Sequence, residues 1–447
     1  MTDLLVGIDV GTTSCKAAVV TLDGREVAHG RRPSPWTPVP TGAEVDPRAL
    51  AEAAAAAVLD ALNSAPEGLV RGIGVCSMGE TGVMLDDRGE PLAPGIAWHD
   101  ARGGPEAERL ARELGERTFT RHTGLPVGPT WTAAKLAALA SARPEVLAGR
   151  RWLSIAEWVV RWLGGDEIAE LSLASRTGFL DVAEATWWPD PLEWVGLSPD
   201  VVPPLVQAGT AAGRVSRVRE LEGAILTIGG HDHPCASVGA GGSGPGDALD
   251  SCGTAEAVLR SIDPSIPADE FEDAASMGID VGRHVVPDRL LLLGSFRAGI
   301  ALKRFLRLLG VEDIGPERDE LDRRALATSS GALEVLDIAE DAHRIEGIGG
   351  QATPEALWRA ALEAAGRETA RILDELASVA GPHGRLVVAG GWTRSQAFRS
   401  IKREVIGPFE VPDVSEAGAR GAALFGGLAA GLFDRVEDFP QPATTQV

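Results

Sequence analysis

Basic residues are in short supply in this 447-residue chain: 42 Lys and Arg stand against 64 Asp and Glu, a formal charge of 42 − 64 = −22. Binding to a nucleic-acid backbone needs a basic footprint, and an anionic membrane surface repels such a chain, so neither is an expected partner. Long apolar runs are missing too. None approaches the ~18 residues that cross a bilayer, and the first residues lack the basic and apolar regions of a signal peptide, so the expected compartment is the cytoplasm. The four cysteines (Cys15, Cys76, Cys235 and Cys252) are scattered singly, without C-x-x-C spacing. That excludes a disulfide framework or a cysteine-rich zinc site and suits reduced thiols. Tyrosine is absent altogether, and no chemistry follows from it.

What remains is ordinary globular material, 44% hydrophobic and 24% charged. The length suits two or three domains and can bury about three quarters of the unfolded surface without a staple. Leu4–Val10 reads as a strand, Gly11-Thr12-Thr13-Ser14 as a tight turn and Lys16–Val20 as the returning strand, with Asp23-Gly24 turning into Glu26–Gly30. Asp-Gly between β-rich runs is a strong hairpin signal. An alanine-rich helix over Pro47–Leu62 precedes a strand at Gly72–Cys76, and a strand pair is expected across Asp86-Asp87-Arg88-Gly89. Residues 149–194 hold six of the eleven tryptophans, and the spacing of Trp152, Ile155, Val159 and Leu163 predicts one buried helix face. A strand at Gly223–Gly229 leads to the glycine-dense stretch Gly239–Gly246, where a boundary is placed: domains 1–243 and 244–447. The second half opens with Asp250-Ser251-Cys252-Gly253-Thr254 between apolar runs, as the first opens with Ile8-Asp9-Val10-Gly11-Thr12. This suggests a degenerate duplication of an α/β unit.

Several residues in this frame are chemically informative. An aspartate inside an apolar strand is costly unless paired or near a cation, and Asp9 is one. The Gly-Thr-Thr turn beside it offers backbone N–H groups as an anion nest, with Lys16 just beyond. Carboxylate, nest and lysine together suggest a Mg²⁺–nucleotide site, with an ordinary hairpin as the alternative. Gly253-Thr254 repeats the turn in the second half. Gly390-Gly391, after the strand Arg385–Ala389, offers bare backbone for a nucleotide, and Ser395 follows either as a contact or as a helix N-cap. Gly229-Gly230-His231-Asp232-His233 follows a strand, where α/β proteins gather their ligands, and Asp232 suits a base for a substrate hydroxyl. The His-x-His spacing also admits a metal, against which the lack of a further His or Cys ligand weighs. Glu80, Trp98 and Asp100 offer the fixed acceptors and aromatic face that a polyhydroxylated ligand wants.

Read together, these segments resemble the FGGY carbohydrate kinases of the actin-like ATPase superfamily. The likeness runs through Gly7-Ile8-Asp9-Val10-Gly11-Thr12-Thr13, Trp98-His99-Asp100-Ala101-Arg102, Leu173-Ala174-Ser175-Arg176-Thr177-Gly178-Phe179-Leu180-Asp181, Gly229–His233, Asp250–Thr254, Trp358–Glu363, Ala389-Gly390-Gly391 and Glu416–Ala423. The resemblance implies two actin-like (ribonuclease H-like) α/β domains around a central cleft. It implies ATP and Mg²⁺ as cofactors and phosphorylation of a primary hydroxyl on a small sugar or polyol, a ketopentose such as xylulose or a related compound. By position it makes Asp232 the catalytic base and Asp9 the metal-associated carboxylate. Gly11, Thr12, Thr13, Lys16, Gly253, Thr254, Gly390, Gly391 and Ser395 fall at nucleotide positions. Gly79, Glu80, Trp98, Asp100, Thr130, Asp232 and His233 fall at the acceptor pocket. Gly79 stands where glycerol kinases carry an arginine, His233 replaces the usual glutamine, and residues 311–345 are short for the family. A non-kinase actin-like ATPase and a sugar-binding pseudokinase are the competing expectations, and a monomer or homodimer is the expected assembly.

Overall fold

The computed structural model describes residues 2–447 apart from 265, 341 and 351. The chain forms two units. The first holds residues 1–241, 261–292 and 414–442, and the second holds 242–260, 293–413 and 443–447. The first unit therefore takes in two segments beyond the expected boundary at 243/244.

The first unit is built on a six-stranded mixed sheet. Its strand order is Ala211–Arg214, Ile225–His231, Gly68–Ser77, Thr2–Val10, Ser14–Thr21 and Glu26–Pro33. The opening hairpin pairs antiparallel with Asp9 opposite Lys16, while Thr2–Val10 runs parallel to Gly68–Ser77. One face is covered by the helix Pro47–Ser64, whose start is fixed by the Asp46 side chain accepting from Arg48 N–H and by proline in the first turn. Leu50, Ala54, Ala57, Val58 and Ala61 of that helix are buried. The other face takes the helix Ala417–Ala429. Small residues on both sides bring backbone against backbone. A Cβ on Gly7 would sit 1.6 Å from the Ala419 carbonyl oxygen, and one on Gly74 would sit 1.8 Å from that of Ala422. This long-range fit draws residues 414–442 into the first unit.

Two local expectations are revised. Trp152 belongs to the strand Arg151–Ser154, and the helix begins at Ile155 behind a Ser154–Glu157 capping box. That strand, not a segment beyond the Asp86–Gly89 turn, pairs with Gly82–Leu85; the turn itself closes with only a single bridge, Leu85 to Pro91.

The second unit repeats the opening logic. Asp247–Cys252 is antiparallel to Glu256–Ile262 and parallel to Arg385–Ala389. Glu410–Pro412 continues the sheet parallel to the last of these, and Thr444–Gln446 closes it antiparallel. The helices Pro316–Ala327, Pro354–Ala380 and Gln396–Ile406 pack together in this unit. A hairpin with a parallel partner on its first strand occurs in both units, which is the topology a duplication leaves. No helix among the described residues is long and apolar enough to cross a membrane.

Candidate active site

Asp9 ends the central strand with its Oδ2 3.7 Å from Lys16 Nζ. Lys16 is held more closely by Glu416, at 2.9 Å, and Glu416 is paired with Arg31 at 2.8 Å. The backbone N–H groups of Ser415 and Glu416 donate to the Glu26 carboxylate, which fixes this acidic corner. Lys16, expected to reach out to an anion, is thus tethered between two carboxylates. Asp9 Oδ1 is buried with no hydrogen-bond partner among the described residues. Burial pushes its carboxyl up to about 6, with the Asp232 charge adding to the rise and Lys16 opposing it. Thr12 accepts from the Trp98 indole N–H at 2.9 Å, so Trp98 ties the turn down. Gly11, Thr12 and Thr13 remain on the half-buried to exposed turn.

Asp232 starts the helix Asp232–Gly239, a placement that favours a negative charge. Gly230 makes the junction possible, with φ +98° and no space for a Cβ, which would meet Val285 at 2.4 Å. Asp232 Oδ1 accepts from His233 N–H at 2.8 Å and lies 3.2 Å from His231 Nε2 and 3.9 Å from His233 Nε2. Burial raises the Asp232 carboxyl and Glu80 adds to it, against His233 and Lys16. His231 is buried, and burial together with Arg176 and His233 holds it well below its ordinary value, so it is neutral. The two imidazoles and the carboxylate bring ligand atoms within 4.8 Å of one another.

Beside this group stands a feature the sequence reading did not assign. Arg176 Nε lies 2.6 Å from Glu80 Oε1, and its Nη1 lies 3.0 Å from Asp280 Oδ2. Its guanidinium sits over the Trp131 ring at 4.8 Å. Arg176 also explains Gly79: a Cβ there would be 2.8 Å from Arg176 Cγ, so the arginine stem occupies the space that a side chain at 79 would take. Glu80 is held at φ +59°, and its carbonyl accepts from Thr132. Thr130 lies in the turn just before Trp131 and Thr132, half-buried. A small cavity of about 10 Å³ beside Glu80 and Thr132 is lined by Lys135, which is 2% exposed and, among the described residues, donates only to the Ala97 carbonyl. Burial lowers Lys135 to about 7. Nothing local marked Arg176, Lys135 or Asp280. Arg176 stood only within a segment shared with the family, with no role attached, and Lys135, a cation inside the apolar run 133–140, demands a partner once buried.

Two expected residues have other duties. Asp100 is fully buried, and both oxygens are used twice: by Arg102 N and Nε on Oδ1, and by Thr41 Oγ1 and Arg102 Nη2 on Oδ2. Its four lone-pair positions are filled, so it fixes the loop and offers a ligand nothing. Ser395 is the N-cap of Gln396–Ile406. Its Oγ accepts from Phe398 N–H and donates to Asp322 Oδ2 at 2.6 Å. Asp322 Oδ1 also accepts from Trp358 Nε1 and from Arg318, whose guanidinium lies over the Trp358 and Trp392 rings. Gly253, Thr254, Gly390 and Gly391 are exposed; Gly390 has φ +111°, and Gly391 has open space where a side chain would be. Trp392 Nε1 donates to the Gly253 carbonyl, which joins these loops within the second unit.

A carboxylate with a raised proton affinity, next to fixed acceptors for hydroxyls, can take a proton from an alcohol. Which chemistry follows is decided by comparison. Residues 4–239 match the N-terminal domain, and residues 329–430 the C-terminal domain, of the FGGY family of carbohydrate kinases. The chain belongs to that family. Among similar proteins, xylulose kinase of Streptomyces rubiginosus is 31% identical, with 96% of this chain and 88% of that protein aligned. Autoinducer-2 kinase of Yersinia enterocolitica is 28% identical over 97% of this chain and 88% of its own length. The crystal structure of xylulose kinase from Rhodospirillum rubrum, 26% identical, superposes with a TM-score of 0.86 over 99% of this chain and 93% of that one. The fold is that of the two-domain actin-like sugar kinases, and the chain is a carbohydrate kinase with ATP use implied by its family. Membership through both domains sets aside the non-kinase ATPase alternative.

Proposed function

We propose that this FGGY kinase transfers the γ-phosphoryl group of ATP to a primary hydroxyl of a small neutral ketose or polyol, a ketopentose first among them, with Asp232 as the base. The hydroxyl proton passes to Asp232 and the hydroxyl oxygen bonds to the γ-phosphorus. The bond from that phosphorus to the β,γ-bridging oxygen breaks, its electron pair leaving with ADP. The observation that carries the reading is the carboxylate of Asp232, raised in proton affinity at a helix start beside Glu80 and His233.

The charge around that carboxylate supports a neutral acceptor. Glu80, Asp280 and Asp232 are three carboxylates, faced by the Arg176 guanidinium, whose two ion pairs already engage it, and by Lys135, whose charge burial weakens. A sugar acid would bring a further anion into this surplus, which disfavours it. The relative named xylulose kinase supports a ketopentose over a triol. Trp98 and His233, both half-buried, and the backbone near Thr130 are assigned to the acceptor. Gly11, Thr12, Thr13, Gly253, Thr254, Gly390 and Gly391 are assigned to the nucleotide, with Ser395 and Lys16 acting through their neighbours. The orphaned Asp9 Oδ1 suits Mg²⁺ held through water, and the ion when bound would offset phosphate charge. Acceptors compared by ADP release test this directly. Neutral ketoses or polyols should give the highest kcat/KM, and a preference for gluconate would contradict the reading.

A further inference from the structure

Trp98 is assigned to the acceptor by its ring, yet its one polar atom is engaged elsewhere. The indole Nε1–H donates to Thr12 Oγ1 at 2.9 Å, across 86 positions of sequence, onto the turn assigned to the nucleotide. The tryptophan is firmly seated. Its ring packs against the core of the first unit and stands edge-on to His99, with centroids 5.2 Å apart. On one side Ala97 donates its N–H to the Ala43 carbonyl at 3.0 Å and accepts from Lys135 Nζ at 3.3 Å. On the other, Asp100 is locked by Arg102 and Thr41.

The turn is held from behind in a way that leaves its donors open. The Gly11 carbonyl accepts from Ser34 Oγ at 2.7 Å, and the Thr13 carbonyl accepts from Ser34 N–H at 3.2 Å. Among the described residues, nothing accepts from the N–H groups of Thr12 and Thr13. The Thr12 hydroxyl is different, since it can accept, donate or do both. An indole N–H can only donate, so the Thr12 oxygen must present a lone pair to Trp98, and its own proton points away from the ring. The acceptor that the structure offers this proton is Met78 Sδ at 4.0 Å, a long contact to a weakly accepting thioether. A phosphate oxygen arriving at the turn outcompetes it, because hydrogen bonds to ionised acceptors are the strong ones.

From this directionality, and resting on the assignment of the Gly11–Thr13 turn to the nucleotide, we infer that Trp98 is a positioning residue for ATP as well as a wall for the acceptor: its Nε1–H fixes the Thr12 hydroxyl as a donor toward a phosphate oxygen. Without the indole N–H the hydroxyl is free to rotate, and ordering it then opposes nucleotide binding. One side chain serves both substrates through different atoms, the ring face for one and the nitrogen for the other.

Binding measured without acceptor isolates the part played by the nitrogen. In calorimetric titrations with Mg²⁺ and the non-hydrolysable β,γ-imido analogue of ATP, Trp98→Phe keeps an aromatic face and loses the N–H, and it should bind about 3–10-fold more weakly than wild type. Thr12→Val keeps the branched shape and loses the hydroxyl, and it should weaken binding at least as much. In Thr12→Val, adding Trp98→Phe should cost less than about twofold more, because the indole acts on the nucleotide only through that hydroxyl. Should Trp98→Phe fail to fold, benzothienylalanine at position 98, with sulfur in place of N–H on the same bicyclic frame, replaces it with the same expected loss. Wild-type affinity in Trp98→Phe beside a weakened Thr12→Val overturns the inference alone, as does a full independent loss in the double variant. Wild-type affinity in Thr12→Val overturns it together with the nucleotide assignment of the turn, so the two failures are told apart.

Discussion

Replacing Arg176 with methionine tests how the acceptor side of the site is held. The substitution keeps most of the volume beside Gly79 and over Trp131 but leaves Glu80 and Asp280, with side chains 7% and 18% exposed, without their shared cation. Removing one partner of a buried pair costs about 3–5 kcal/mol. The cost has a ceiling, because a stranded carboxyl can take up a proton. With an ordinary value near 4, protonation at pH 7 costs about 4 kcal/mol, and at pH 5 only about 1.4 kcal/mol. The variant's native state then binds one more proton than its unfolded state, so its stability falls as pH rises, by about 1.4 kcal/mol per pH unit relative to wild type. Urea denaturation at pH 5, 6 and 7 reads this directly. At pH 7 the acceptor KM should also rise at least tenfold while the ATP KM stays put, and Glu80→Gln in the same chain should restore part of the stability. A deficit below about 1 kcal/mol at pH 7, or one that does not change with pH, refutes the reasoning.

Three further outcomes are expected. Lys135 at about 7 against its ordinary 10.5 means that the native state deprotonates first, so wild-type stability rises as pH climbs from 7 toward 10. The stability of Lys135→Met relative to wild type should therefore shrink by roughly 2–3 kcal/mol between pH 7 and 9 in paired denaturation curves, and a constant difference counts against it. Gly79→Ala must displace the Arg176 stem, so it should raise the acceptor KM without altering the ATP KM; equal effects on both would sink that argument. Gly74→Ala forces a methyl against the Ala422 carbonyl and should destabilise the first unit by about 1–3 kcal/mol or more, seen as a lower melting temperature at unchanged KM.

The parts legible in the sequence were those written locally. Asp-Gly and Gly-Thr turns between β-rich runs marked both hairpins, and Gly-Gly-His-Asp-His after an apolar strand marked the carboxylate proposed as the base. The strand Arg385–Ala389 was found with its ends intact. What escaped was long-range. The apolar residues Trp152 and Ile155 satisfy a helical spacing, yet a partner strand at Gly82–Leu85 claims the first of them. Gly7 and Gly74 read as unremarkable strand glycines until the helix from Ala417 lies against them. Glu80 and Arg176 are 96 positions apart, and a single sequence cannot announce their pairing. Asp100 was read as a fixed acceptor for a ligand, but its hydrogen bonds are spent on Arg102 and Thr41, and of the two readings of Ser395, nucleotide contact or helix N-cap, the cap is the one its hydrogen bonds show.

Removal of the acceptor's proton by Asp232 can be read from the turnover of Asp232→Asn with saturating ATP and acceptor. The variant should fold, bind nucleotide normally and lose about 10²–10⁴-fold in kcat. Turnover within a few-fold of wild type in that variant would contradict it.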